Sequence, residues 1–133
     1  MKVLVYVDGS DGAMRAVDRA IALAAGGAQV LALHVYPPRL DRGHVSHFEI
    51  EPEDLDIVFA RKVLAAVEER FAAHGLAFES LILEGHLTGV IAEQAVRGGC
   101  DLILIGSCGS PRVGIGLASA VRRQSQVPVE DVA

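Results

Sequence analysis

The sequence predicts an α/β domain built as a doubly wound, five-stranded parallel sheet with helices on both faces. Apolar, β-branched runs alternate along the chain with stretches of helical periodicity. Several of those runs are almost continuously apolar, which suits parallel strands covered on both sides rather than strands with one wet face. Glycine, serine, threonine or aspartate stands where strands give way to helices. The resulting order β-α-β-α-β-α-β-α-β requires right-handed crossovers, and these distribute the helices over both faces.

The first strand is Lys2 to Asp8, KVLVYVD, and it ends at Asp8-Gly9-Ser10, a turn and helix-entry signal. Met14, Val17, Ala20, Ile21 and Ala24 recur at helical spacing within Asp11 to Ala25, and Gly26-Gly27 closes that helix. Gln29 to Tyr36 is the second strand. From Pro37 to Pro52 periodicity disappears, and the segment reads as a surface loop long enough to carry a function. A long helix begins at Glu53 or Asp54 and runs through His74, with Leu55, Val58, Phe59, Val63, Ala66, Val67 and Phe71 on one side or at its edges. Arg61, Lys62, Glu68, Glu69 and Arg70 form its wet face, and Gly75 stops it.

Ala77 to Glu84 supplies the third strand, followed by a turn in which Thr88 is the expected N-cap of a short helix, Gly89 to Val96. Gly98-Gly99 closes it. Asp101 to Ser107 is the fourth strand, Gly116 to Ser125 the fourth helix, and Val127-Pro128-Val129 opens a brief last strand.

Composition narrows the function. The 133 residues, 51% hydrophobic and 22% charged, fit one folded domain spanning 1–133. A formal charge of -5, with no basic stripe, argues against nucleic acid or an anionic membrane as partner. Cys100 and Cys108 are too few for a disulfide framework, the opening MKVLVYVDGS is no secretory signal, and the apolar runs fall short of a membrane span. A cytoplasmic location is the expectation.

The stretch DLILIGSCGSPRVGIGLAS, Asp101 to Ser119, carries the chemistry. A buried strand breaks into a glycine-rich turn that opens onto a helix, so backbone N–H groups and a helix dipole face the carboxyl end of the strand, where a phosphate can bind. In open parallel sheets ligands bind at those carboxyl ends, here Val7-Asp8, Val35-Tyr36, Glu84-Gly85 and Ile105-Gly106. Each residue also has a plainer reading. Asp8 contacts a ribose or base, or caps the first helix together with Ser10; Gly106 and Gly109 cradle phosphate, or supply positive φ in a turn.

His44 and His47 stand near Glu49 and Glu51 without a defined metal-ligand set, so they read as solvated and no metal is expected. His34 reads as a satisfied histidine of the second strand. Cys108, beside a helix N-terminus, is a minor redox candidate. No nucleophile and base arrangement stands out, which leaves an enzymatic role without a carrier.

The segments VLVYVDGSDGAMRAVDRAIALA, VLALHVYPP, LEGHLTGVIAEQAVRGGCDLILIGSCG and the late VPV, in that order, resemble the universal stress protein family over nearly the whole chain. The resemblance implies an adenine nucleotide alpha hydrolase-like fold and a homodimer formed partly through the last strand. It also implies possible use of ATP, ADP or AMP, because the family divides into members that bind nucleotide and members that do not. The acidic residue that binding members carry after strand one matches Asp8, and the hydrophobic residue after the strand-two histidine matches Val35.

Carried onto this chain, the nucleotide site comprises Val7, Asp8, Val35, Ile105, Gly106, Gly109, Arg112, Gly116 and Ser119. The chain departs from the family's phosphate loop, since Gly116 follows Gly109 too soon and Leu117 stands where a hydroxyl residue is usual. Tyr6 replaces a frequent proline, and its ring would either stack on a base or fill the pocket. Arg112 would offset part of the missing hydroxyl by reaching a phosphate. These departures imply a regulatory or binding module with weakened or altered nucleotide affinity and little or no hydrolysis, or a homodimeric interaction module that binds no nucleotide.

Overall fold

A computed structural model describes residues 1–38, 52–107 and 116–133, with residues 52–54 as backbone alone. In chain order the elements are β1 (Lys2–Tyr6), α1 (Asp11–Ala25), β2 (Gln29–Tyr36), α2 (Pro52–Ala73), β3 (Glu79–Glu84), α3 (Leu87–Arg97), β4 (Leu102–Gly106), α4 (Leu117–Gln124) and β5 (Val129–Val132). The strands form one sheet in the order β3-β2-β1-β4-β5, and every neighbouring pair is parallel. Winding therefore runs outward from β1 to β3, then returns to β4 and runs to β5, which puts the reversal between β1 and β4.

The continuous apolar character of β1 is explained by burial on both faces. Val3, Val5 and Val7 pack with Ala16, Val17, Ala20, Val63, Val67 and Phe71 of α1 and α2. Leu4 and Tyr6 point the other way, into a second cluster with Ile91 and Ala95 of α3 and Ala118 and Val121 of α4. Alternate residues of one strand thus feed two cores, as the period of an extended chain requires.

Several boundaries move from their expected positions for local reasons. β1 ends at Tyr6 rather than Asp8, although Val7 N still donates to the Leu33 carbonyl at 2.9 Å. α2 begins at Pro52, a first-turn position where a missing N–H leaves no intrahelical bond unmade. β3 starts at Glu79, two residues later than expected. Thr88 is not an N-cap: Gly85 (φ +156°) and His86 take the turn, α3 starts at Leu87, and the Thr88 hydroxyl accepts a hydrogen bond from Gln124 Nε2 of α4 at 3.1 Å. β5 starts at Val129, two residues after Val127, because Pro128 has no N–H to give to the ladder, although its carbonyl accepts from Ile103 N at 2.9 Å.

Polar side chains tie the layers together. Lys2 N donates to Asp101 Oδ2 at 2.9 Å while Asp101 N donates to the Lys2 carbonyl at 2.7 Å, so the acidic residue ahead of β4 locks that strand to the start of β1. Arg19 of α1 grips Glu130 of β5 through Nε and Nη2, at 2.9 and 3.4 Å, and this partner raises the affinity of the guanidinium for its proton above the ordinary value. Arg70 of α2 donates to both carboxylate oxygens of Asp18 on α1, each at 2.8 Å.

The tightest fit lies where α1 meets the end of β4. A Cβ on Gly106 would overlap the carbonyl of Gly12, and a Cβ on Gly12 would overlap the carbonyl of Ser107. Neither neighbour can step aside, because both are backbone. Ser107 is held in addition by Arg15 Nη2, which donates to its carbonyl at 2.9 Å, and by its own N–H, which donates to Val132 at 2.8 Å. Gly106→Ala is expected to destabilise the fold by about 3 kcal/mol, the upper range for overpacking, because backbone must move to admit the methyl. Chemical denaturation with a comparison of midpoints and slopes checks this.

Candidate ligand site

The turn after β1 is organised by its own side chains. Ser10 is the N-cap of α1, with its hydroxyl accepting from Ala13 N at 3.1 Å. Asp8 Oδ1 in turn accepts from Ser10 N at 2.9 Å and from Ser10 Oγ at 2.6 Å. The capping hydroxyl thus spends its proton on Asp8 and uses a lone pair for the helix. Gly9 between them has φ +84°, and Phe59 and Val63 of α2 lie against it.

His34 is buried at the next strand end. Its Nδ1 lies 2.8 Å from the Val7 carbonyl, which can only accept, so the proton sits on Nδ1. This bond follows the last backbone bond between β1 and β2 and closes the seam below Asp8. The ring of Phe59 lies 5.7 Å from the imidazole, centroid to centroid. The expectation of a satisfied strand histidine holds, and the partner is now named.

A hollow of about 320 Å³ opens at the carboxyl ends of β1, β2 and β3. Tyr6 supplies one wall, Val35 and Tyr36 another, Pro37 and Pro38 the continuation of β2, and Gly85, His86 and Leu87 the entry to α3. The N-cap residue of α3, His86, makes no side-chain capping bond to its helix, and that of α4 is Gly116, which has no side chain to offer. Two helix N-termini therefore stand at the strand ends without a capping bond from their own N-cap residue, an arrangement that favours anionic groups.

The expected site residues are distributed unevenly around this hollow. Val35 lines it. Val7 and Ile105 are fully buried core positions, one in each cluster. Gly106 abuts Gly12, Gly116 opens α4, and Ser119 is exposed on that helix's first turn. Leu117 is half-buried and packs with Val127 and Val129 against the second core cluster, so its side chain serves the interior. Gly109 and Arg112 lie outside the described residues, as do Cys108, Gly114, His44, His47, Glu49 and Glu51.

Tyr36, the two prolines, His86 and Leu87 were not singled out as ligand contacts by the sequence. The strand-end rule did point to Tyr36 and to Gly85, beside which His86 and Leu87 follow. Among the described residues there is no group of three or more His, Cys, Asp or Glu able to hold a metal ion, and no helix long and apolar enough to cross a membrane. Burial pushes the Cys100 thiol up, away from the reactive thiolate.

An open, all-parallel sheet with helices on both faces and a winding reversal between β1 and β4 defines a protein of the doubly wound α/β class. The chain belongs to the universal stress protein family, whose description matches residues 1–129. Solved structures agree on the fold. A universal stress protein family member from Burkholderia pseudomallei is 24% identical with a TM-score of 0.76, covering 98% of this chain and 94% of that one. One from Archaeoglobus fulgidus in complex with dAMP is 23% identical with a TM-score of 0.76, covering 100% and 98%. One from Arabidopsis thaliana with AMP bound is 20% identical with a TM-score of 0.72, covering 99% and 90%. Comparison with curated proteins gives no match.

Ser10→Ala is expected to lower stability by about 1 kcal/mol through loss of the α1 cap, whereas Asp8→Asn should keep most of it because an amide oxygen can still accept from Ser10. Urea unfolding of the two variants beside the parent chain checks the order.

Proposed function

We propose that this chain is a regulatory binding module that takes an adenine nucleotide at the strand ends, with altered and weakened phosphate contacts and little or no hydrolysis. The observation that carries the reading is the hollow of about 320 Å³ walled by Tyr6, Val35 and Gly85 to Leu87, of a size and lining suited to a base and sugar. In this reading Val7, Asp8 and Val35 border the base and ribose. Ile105, Gly106, Gly109, Arg112, Gly116 and Ser119 form the phosphate side, where the first-turn N–H groups of α4 meet negative charge. That relatives of the same fold are solved with AMP and dAMP supports the choice of ligand class.

Leu117 sets the expected strength. A hydroxyl there would add a hydrogen bond to a charged partner worth about 1.5 to 3 kcal/mol, so its absence weakens binding by about tenfold or more. The short spacing from Gly109 to Gly116 favours AMP or ADP over ATP. The reading includes a cytoplasmic location and a homodimer, and it assigns no residue to a hydrolytic step.

A second reading, an interaction module that binds no nucleotide, is favoured by Tyr6 and Leu117. Tyr6 is only 7% exposed and belongs to the cluster that Leu117 also joins, as residues filling a vacated pocket would.

Isothermal titration with AMP, ADP and ATP separates the two. Binding tightest for AMP or ADP supports the first reading, and no heat at millimolar nucleotide overturns it. Leu117→Ser is expected to tighten ATP binding about tenfold while lowering the melting temperature, since the leucine leaves the core. Titration and thermal unfolding of that variant check both directions.

A further inference from the structure

Helix α2 carries two apolar faces. One, with Ala60, Val63, Val67 and Phe71, is buried against the sheet and α1. The other faces solvent. Leu55, Phe59, Lys62, Ala66, Glu69 and Ala73 follow at intervals of four, three, four, three and four residues, the spacing that keeps side chains on one straight seam of a helix. Leu55 is 60% exposed and Phe59 52%, with Val58 beside them at 50%. Large exposed apolar side chains grouped at one end of a helix mark a contact surface more often than scattered ones do.

The two charges on this seam are isolated. Lys62 has Val58, Phe59, Ala65 and Ala66 as its helical neighbours at three and four residues, and Glu69 has Ala65, Ala66, Ala72 and Ala73. Neither has an ion-pair partner among the described residues. Seven residues, about 10.5 Å of helix, separate them, too far for them to pair with each other.

The pattern is self-complementary about Ala65-Ala66. A two-fold axis there, with two α2 helices antiparallel, brings Lys62 of each copy beside Glu69 of the other. It also lays Val58 and Phe59 over the partner's small Ala72 and Ala73, with the central alanines allowing close approach. A hollow of about 500 Å³ between α1 and α2, bordered by Met14, Ala66 and Ala73, runs along one edge of the seam and offers room for the larger side chains. We propose that the exposed face of α2 is an isologous docking surface for a second copy of this chain, with the Lys62–Glu69 exchange fixing its register. This surface is separate from the last strand and from the ligand hollow.

Sedimentation equilibrium of the full chain, from low micromolar to submillimolar concentration, tests it with three variants. Lys62→Glu and Glu69→Lys are each expected to weaken dimerisation about tenfold, because each change sets like charges face to face twice per dimer, and the double exchange Lys62→Glu with Glu69→Lys is expected to restore it. Both side chains are exposed and have no ion-pair partner among the described residues, so the thermal stability of the monomer should not change. A chain that remains monomeric overturns the proposal. So does a dimer indifferent to the single reversals, or one that the double exchange fails to recover.

Discussion

The arrangement of this protein depends on the contact between Gly12 and Gly106. Helix α1 enters its first turn at the level where β4 ends, and the two backbones approach so closely that neither position admits a side chain. That approach sets the depth at which α1 sits over β1 and β4, allowing Ala16, Val17 and Ala20 to reach the valines of β1 and Leu104 of β4. Next to it, Ser107 is held by Arg15, which donates to its carbonyl, and by its own N–H, which donates to the Val132 carbonyl. A methyl group at either glycine would lift the helix and loosen everything that follows from its position.

Around that constraint the strand ends are closed by short-range polar chemistry. Asp8 holds Ser10, Ser10 holds the first turn of α1, and His34 takes the Val7 carbonyl where the backbone ladder stops. These bonds finish the seam between β1 and β2, while the carboxyl ends of β1, β2 and β3 leave a hollow beside the entry to α3. The same division applies to the glycine segment. Gly106 has a packing duty independent of any ligand, and Leu117 has turned inward to the core, so the proposed phosphate contacts rest chiefly on backbone N–H groups rather than on side chains.

Helix α2 shows how one element can satisfy two demands. Its buried face is ordinary core, yet the outer face combines Leu55, Val58 and Phe59 with alanines and two charges that have no ion-pair partner among the described residues. Arg70, bound to Asp18, separates the two faces on the side of α1. The sequence reading of a wet face recognised its charges and left Leu55, Val58 and Phe59 on one side of the helix or at its edges, whereas all three are at least half-exposed, Phe59 with its ring also near His34.

The sequence by itself determined the fold class, the order of elements and the family, because apolar period, turn chemistry and motif order are properties of the chain that burial then enforces. It marked the strand ends as the place for a ligand, and Gly106 and Ser10 as residues with work to do there. Only the tertiary structure decided what that work is. The requirement for glycine at Gly106 comes from Gly12, over ninety residues earlier in the chain, the Thr88 hydroxyl goes to Gln124 instead of capping its own helix, and His34 finds its acceptor on a neighbouring strand. Each of these is a contact between segments distant in sequence, and periodicity and local propensity carry no record of which backbone or carbonyl a folded chain will bring alongside.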